Sequence, residues 1–109
     1  MTITKAEFAT ILTGLEIPVR YRAFKKGEKP TPPYAVYYQL SKEHFRADNG
    51  PYFTTETVVV ELITKKKDEE LEKKLESLLI ANKLSFEFEM EDYLDSEDLY
   101  QVSYAIDLM

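Results

Sequence analysis

The chain has no cysteine among its 109 residues. That removes disulfides, thiolate nucleophiles and the common structural zinc sites together, and it fits synthesis in a reducing compartment. Only three glycines are present, and none belongs to a phosphate-cradling loop, a Walker lysine motif or a dinucleotide-binding fingerprint. No apolar run approaches the ~20 residues that a membrane-spanning helix needs. Met1-Thr2-Ile3-Thr4-Lys5 leads directly into an amphipathic pattern rather than a signal-peptide layout. The expectation is a protein made in the cytoplasm, with no membrane partner.

Catalytic groups are equally scarce. The one histidine, His44, stands beside Glu43 in Lys42-Glu43-His44-Phe45-Arg46. A histidine with a carboxylate neighbour can act as a general base, but no Gly-x-Ser-x-Gly elbow accompanies it, so it reads as a solvated loop residue. The acidic run 92–98 lacks the Asp-x-Asp-x-Asp-Gly spacing of a calcium loop, and nothing marks a pair of carboxylates as buried. The sequence predicts no enzyme, no metal, no cofactor and no catalytic residue.

What is present is enough for one core. The hydrophobic fraction is 44%, the aromatic fraction 13% and the charged fraction 31%, so residues 1–109 are read as a single domain. The net charge is −6, which disfavours sequence-specific nucleic-acid binding. The charges are segregated. Residues 20–29 hold Arg20, Arg22, Lys25, Lys26 and Lys29 against one acid, Glu28. From Leu84 onward come Glu87, Glu89, Glu91, Asp92, Asp95, Glu97, Asp98 and Asp107, with no Lys or Arg. A subunit with a basic and an acidic pole can associate head to tail, and such contacts close into a ring when the rotation allows. Arg20, Arg22, Lys25, Lys26 and Lys29, with Glu87, Glu89, Glu91, Asp92 and Asp95, are the candidate subunit-interface residues.

Local patterns predict the elements. Thr4-Lys5-Ala6-Glu7 is a capping box, with Ile3 and Phe8 as its hydrophobic staple. Phe8, Ile11, Leu12 and Leu15 then form one apolar helical stripe, ended by Gly14 and Pro18. Residues 19–24 alternate as a short edge strand, 25–33 form a Pro-rich loop, and 34–40 form a strand. Residues 41–51 read as a polar loop ending in the turn Asp48-Asn49-Gly50-Pro51. Residues 52–64 are the strongest strand, and Val58-Val59-Val60 predicts burial on both faces, as a central strand requires. Asp68 caps a second helix with a Leu71, Leu75, Leu78, Leu79 stripe, outer Glu69–Lys73 and Glu70–Lys74 pairs, and Asn82 as a left-handed cap.

Two further strands, 84–91 and 99–109, alternate cleanly. Leu84, Phe86, Phe88 and Met90 point inward on the first; Tyr100, Val102, Tyr104, Ile106 and Leu108 do so on the second. Joined by an acidic link, they predict an antiparallel hairpin. The expected class is α+β: an antiparallel or mixed sheet of four or five strands with two helices packed on one face.

The layout resembles a family of short phage and prophage proteins. The resembling residues begin with the N-terminal helix and Ile17-Pro18-Val19-Arg20-Tyr21, then Gly27-Glu28-Lys29-Pro30-Thr31-Pro32-Pro33-Tyr34 entering Ala35-Val36-Tyr37-Tyr38. Phe45-Arg46-Ala47-Asp48 precedes Tyr52. Val60-Glu61-Leu62-Ile63-Thr64 leads into Lys67-Asp68-Glu69-Glu70-Leu71-Glu72, and Leu99-Tyr100-Gln101-Val102 closes the set. The chain is similar in this to siphophage tail-terminator and head–tail joining (tail completion) proteins. The resemblance implies a small structural subunit of a homo-oligomeric ring, commonly a hexamer, with the tail tube and head-connector proteins as partners. It would be made in the host cytoplasm and reside in the virion tail. An acidic lumen would let DNA pass, because phosphates are repelled from it. The alternative expectation is a non-enzymatic binding module or regulator of a mobile element, including an acidic DNA mimic, although 14 basic residues dilute the acids.

Overall fold

A computed structural model describes residues 3–25, 27–46 and 52–108, with the backbone alone for 41–46 and 52–55. The elements follow in the order α1 (Lys5–Leu12), a 3-10 turn (Thr13–Leu15), β1 (Val19–Tyr21), β2 (Tyr34–Arg46), β3 (Tyr52–Thr64), α2 (Glu69–Ala81), β4 (Ser85–Leu94) and β5 (Leu99–Asp107). The five strands form one mixed sheet in the order β1-β2-β3-β5-β4. β1 is parallel to β2, and the remaining pairs are antiparallel. The fold is α+β.

The helices start where their caps are. The Thr4 hydroxyl accepts the Glu7 N–H at 3.1 Å and the Glu7 carboxylate accepts the Thr4 N–H at 3.1 Å, a complete capping box. Asp68 accepts the Leu71 N–H at 3.0 Å. The end of α2 differs from the expectation: Asn82 keeps φ −98°, and the left-handed residue is Lys83 at φ 57°. Asn82 instead donates its side-chain amide to the Leu78 carbonyl at 2.8 Å, satisfying an orphan carbonyl without leaving the right-handed region. On the outer face Lys74 reaches Glu16 at 3.2 Å rather than Glu70.

Both helices cover the same sheet face. Phe8, Leu12, Leu15, Leu71, Leu75 and Leu79 pack on Ala35, Tyr37, Val58, Val60, Leu62, Val102, Tyr104 and Ile106. Gly14 lets the two helical segments approach, because a Cβ there would lie 2.9 Å from Leu78 Cδ2. At the centre of the sheet, Val58 and Val60 are 0% exposed and Val59 on the opposite side is 5% exposed. The two-sided burial expected of 58–60 is present.

Three strands depart from the sequence expectation. β1 stops at Tyr21 instead of residue 24, because Arg22 takes φ 75° and turns the chain off the edge. β2 continues to Arg46, so His44 lies in a strand opposite Thr54 rather than in a loop. Polar residues are tolerated there because backbone pairing with β3 satisfies the chain without apolar cover. The expected turn at 48–51 lies outside the described residues. In β4 the register shifts between Phe88 and Met90, leaving Glu89 as an extra residue. A bulge of this kind exchanges the faces beyond it. Met90 therefore sits on the face opposite the helices, and Glu91 takes the helix side.

β5 pairs β3 only from Thr57 onward, so the β2–β3 ribbon at 41–46 and 52–56 extends past the rest of the sheet. A 13-residue strand spans about 43 Å, and the chain measures 53 × 28 × 22 Å. Its radius of gyration, 15.2 Å, exceeds the ~13 Å expected for a compact chain of this length.

Leu75→Ala, at a fully buried position, is expected to cost about 2–5 kcal/mol. Met90→Ala should cost less than about 1 kcal/mol, because the bulge has put this side chain outside the core. Urea denaturation of the two variants checks both values, and equal losses would contradict the assigned register.

Candidate functional site

A parallel neighbour fixes the path of the chain between β1 and β2. The chain must return across a face of the sheet before β2 begins, a crossover of a dozen or so residues. One face is occupied by helices, so residues 22–25 and 27–33 cross the other. Phe24, carried by this strap, packs edge-to-face on Tyr34 at 5.3 Å between ring centroids. Tyr34, Val36, Ile63 and Leu99 form a second small core there, with Phe24 and Leu94 against it. The sequence alternation did not single out this cluster: no faces are assigned to 34–40, and Leu99 falls on the side of its strand read as outward.

The strap is tied at its far side by Lys29, which meets Glu97 in the β4–β5 turn at 3.0 Å. Hydrogen bonding to Glu97 and Tyr34 raises the Lys29 pKa above its ordinary value. Both side chains are nearly half exposed, at 47% and 46%, so the pair fixes geometry more than it stabilises. Lys29 thus belongs with the acidic pole it was expected to oppose.

Of the other basic candidates, Arg20 and Arg22 stay at the β1 edge. Arg20 lies over the Phe24 ring at 5.6 Å and Arg22 over the Tyr38 ring at 5.7 Å, both on the open face. Lys25 is exposed in the strap, and Lys26 lies outside the described residues. Tyr21 points to the helix side, edge-to-face on Tyr37 at 5.2 Å, and is 47% exposed.

The acidic candidates line β4, the opposite edge of the same sheet. Glu87 and Asp92 stand on the open face, as the pairing of their neighbours Ala105 and Gln101 requires, and Glu89 protrudes at the bulge. Glu91 turns to the helix side and is held by Lys67, which also meets Glu72 at 2.9 Å. These two carboxylates push the Lys67 pKa well above the usual lysine range. Asp95 lies in the turn after β4. Phe88, Met90 and Tyr93 are 49%, 48% and 43% exposed along this edge. The arrangement therefore brings Arg20 and Arg22 together at one edge, and Glu87, Glu89, Glu91 and Asp92 together at the other.

Between the edges runs a polar seam absent from the sequence reading. On the open face Glu61 accepts from the Gln101 amide at 3.0 Å and from the Tyr38 hydroxyl at 3.4 Å. On its two sides are shallow cavities. One, of about 300 Å³, lies under the strap between Arg22, Phe24, Lys29 and Glu97. The other, of about 340 Å³, lies between Leu40, Val59, Met90 and Ser103. The Ser103 Oγ is buried without a hydrogen-bond partner. Among the described residues no cluster of His, Cys, Asp or Glu is placed to hold a metal ion, and no helix is long and apolar enough to cross a membrane. Both cavities are open to solvent, and Glu61 lines each of them.

No protein-family model matches the chain, and no curated protein is found to be similar to it.

Burial holds the Glu61 carboxyl above the usual value of 4.5, and the Tyr38 hydrogen bond only partly offsets this. The folded chain consequently binds this proton more tightly than the unfolded chain does. The associated stability is present below the ordinary carboxylate range and is lost as pH rises through the raised folded value. Glu61→Gln removes that loss, so at about pH 7 the variant should equal or exceed the parent in stability. The difference should shrink below about pH 4, where the parent carboxyl is neutral. Denaturation curves at both pH values test this, and a variant much weaker at neutral pH would contradict the assignment.

Proposed function

We propose that this chain is a non-enzymatic structural subunit that associates head to tail into a closed ring. Its role would be that of the phage tail-terminator and head–tail joining proteins it resembles: capping the tail tube and offering a surface for the head. The observation that carries this reading is the position of the opposite charges. They lie on the two free edges of one sheet, so like edges repel and unlike edges attract. A contact of that kind is heterologous and generates either a ring or an open filament. The β2–β3 ribbon supports the same reading. An isolated two-stranded ribbon is marginal in water, and a neighbouring subunit or the tube would give it a partner.

The alternative, an acidic mimic of DNA, has less support. Glu97 and Glu91, two of the acids it would need, are already engaged by Lys29 and Lys67 of the same chain.

Light scattering across protein concentration and salt, with negative-stain imaging, tests the proposal. The expected outcome is a defined oligomer with a central hole, weakened by salt because exposed charges are screened. A monomer at every concentration, or open filaments alone, would contradict it.

A further inference from the structure

Resting on the ring reading above, we infer that the joint between copies is a continuation of the β-sheet, with the β1 edge of one copy laid along the β4 edge of the next. Three features, each independent of the others, fit this joint. The first is strand direction. β2 and β5 run one way and β3 and β4 the other, while β1 is parallel to β2. A neighbour that extends the sheet in the same sense therefore brings its β1 antiparallel to β4, the commoner pairing in proteins.

The second is the match of side chains on each face. In a continued sheet the two faces keep their identity. On the open face, Arg20 and Arg22 of one copy come beside Glu87, Glu89 and Asp92 of the next. On the helix face, the half-exposed Tyr21 comes beside the half-exposed Phe88 and Tyr93. Glu91, which lies on the helix face between Phe88 and Tyr93, is already held by Lys67 of its own chain. The third is that both strands end the sheet, with the Val19 backbone and the Tyr21 N–H left on the β1 edge while the Tyr21 carbonyl accepts from the Ala23 N–H at 2.9 Å. β4 is exposed at nearly every position, and both its backbone edge and that of β1 lie at the ends of the strand order.

The same charges set the partner. Two β4 edges brought together would oppose acid to acid, and two β1 edges would oppose arginine to arginine. Edge strands commonly carry charge to prevent indiscriminate pairing. Here the two edges carry opposite signs, which forbids symmetric dimers and permits only the β1–β4 joint.

Charge exchange tests this directly. One variant carries Arg20→Glu and Arg22→Glu; a second carries Glu87→Lys, Glu89→Lys and Asp92→Lys. All five positions are exposed, and circular dichroism establishes that each variant is folded. Each alone is expected to lose the oligomer, with dissociation constants raised about tenfold or more. The two mixed should recover it, since each then presents the edge the other needs, and a chain carrying all five changes should also assemble. Oligomers unaffected by either variant, or a mixture that fails to recover, would overturn the joint while leaving the ring reading intact. A parent protein that never associates would overturn both.

Discussion

Val58, Val59 and Val60 place methyl groups on both sides of the same short stretch of β3, and the sheet can keep them dry only if each face is covered. The two helices cover one face. Among the described residues there is no third helix for the other, and the strap between β1 and β2 covers only the half of it around Tyr34, Val36, Ile63 and Leu99. Much else follows from this unequal cover. The strap must cross the open face because β1 is parallel to β2, and its length and prolines suit an extended crossing. The uncovered half retains the Glu61 seam and the exposed Leu40 and Met90. Among the described residues no strand or helix covers the two edges.

Stability and assembly are therefore drawn from different parts of the chain. The helix-side core, with Phe8, Leu12, Leu75, Leu79, Tyr104 and Ile106 all fully buried, fixes the fold. Tyr104 illustrates how polar groups are accommodated there: its hydroxyl donates to Glu76 at 2.6 Å, so the ring can be buried without an orphan donor. The charges proposed to guide assembly lie outside this core. They can be exchanged without disturbing it.

Much of the fold was legible in the sequence, for identifiable reasons. Caps are local: Thr4 with Glu7, and Asp68, act on amides three residues away, so spacing alone reveals them. The triple valine of β3 and the alternation of β5 report burial directly. The charge poles were visible too, but not that they occupy opposite sheet edges, because edge position depends on strand order. Alternation also misled at β4, where one extra residue at Glu89 moved Met90 from the core to the open face. Polarity misled at 41–46, where pairing with β3 keeps hydrophilic residues in a strand. Contacts between residues distant in sequence, such as Lys29 with Glu97 and Lys67 with Glu91, leave no periodic trace at all.

The central claim is that β4 is a free edge in the single chain and a paired one in the assembly. Amide hydrogen exchange resolved to single residues, at low and at high protein concentration, measures this most directly. The account predicts that amides of β4 turned away from β5 exchange quickly in dilute protein and become protected together with those of β1 as the oligomer forms. Protection of those amides in the dilute monomer, or their continued rapid exchange in the oligomer, would contradict it.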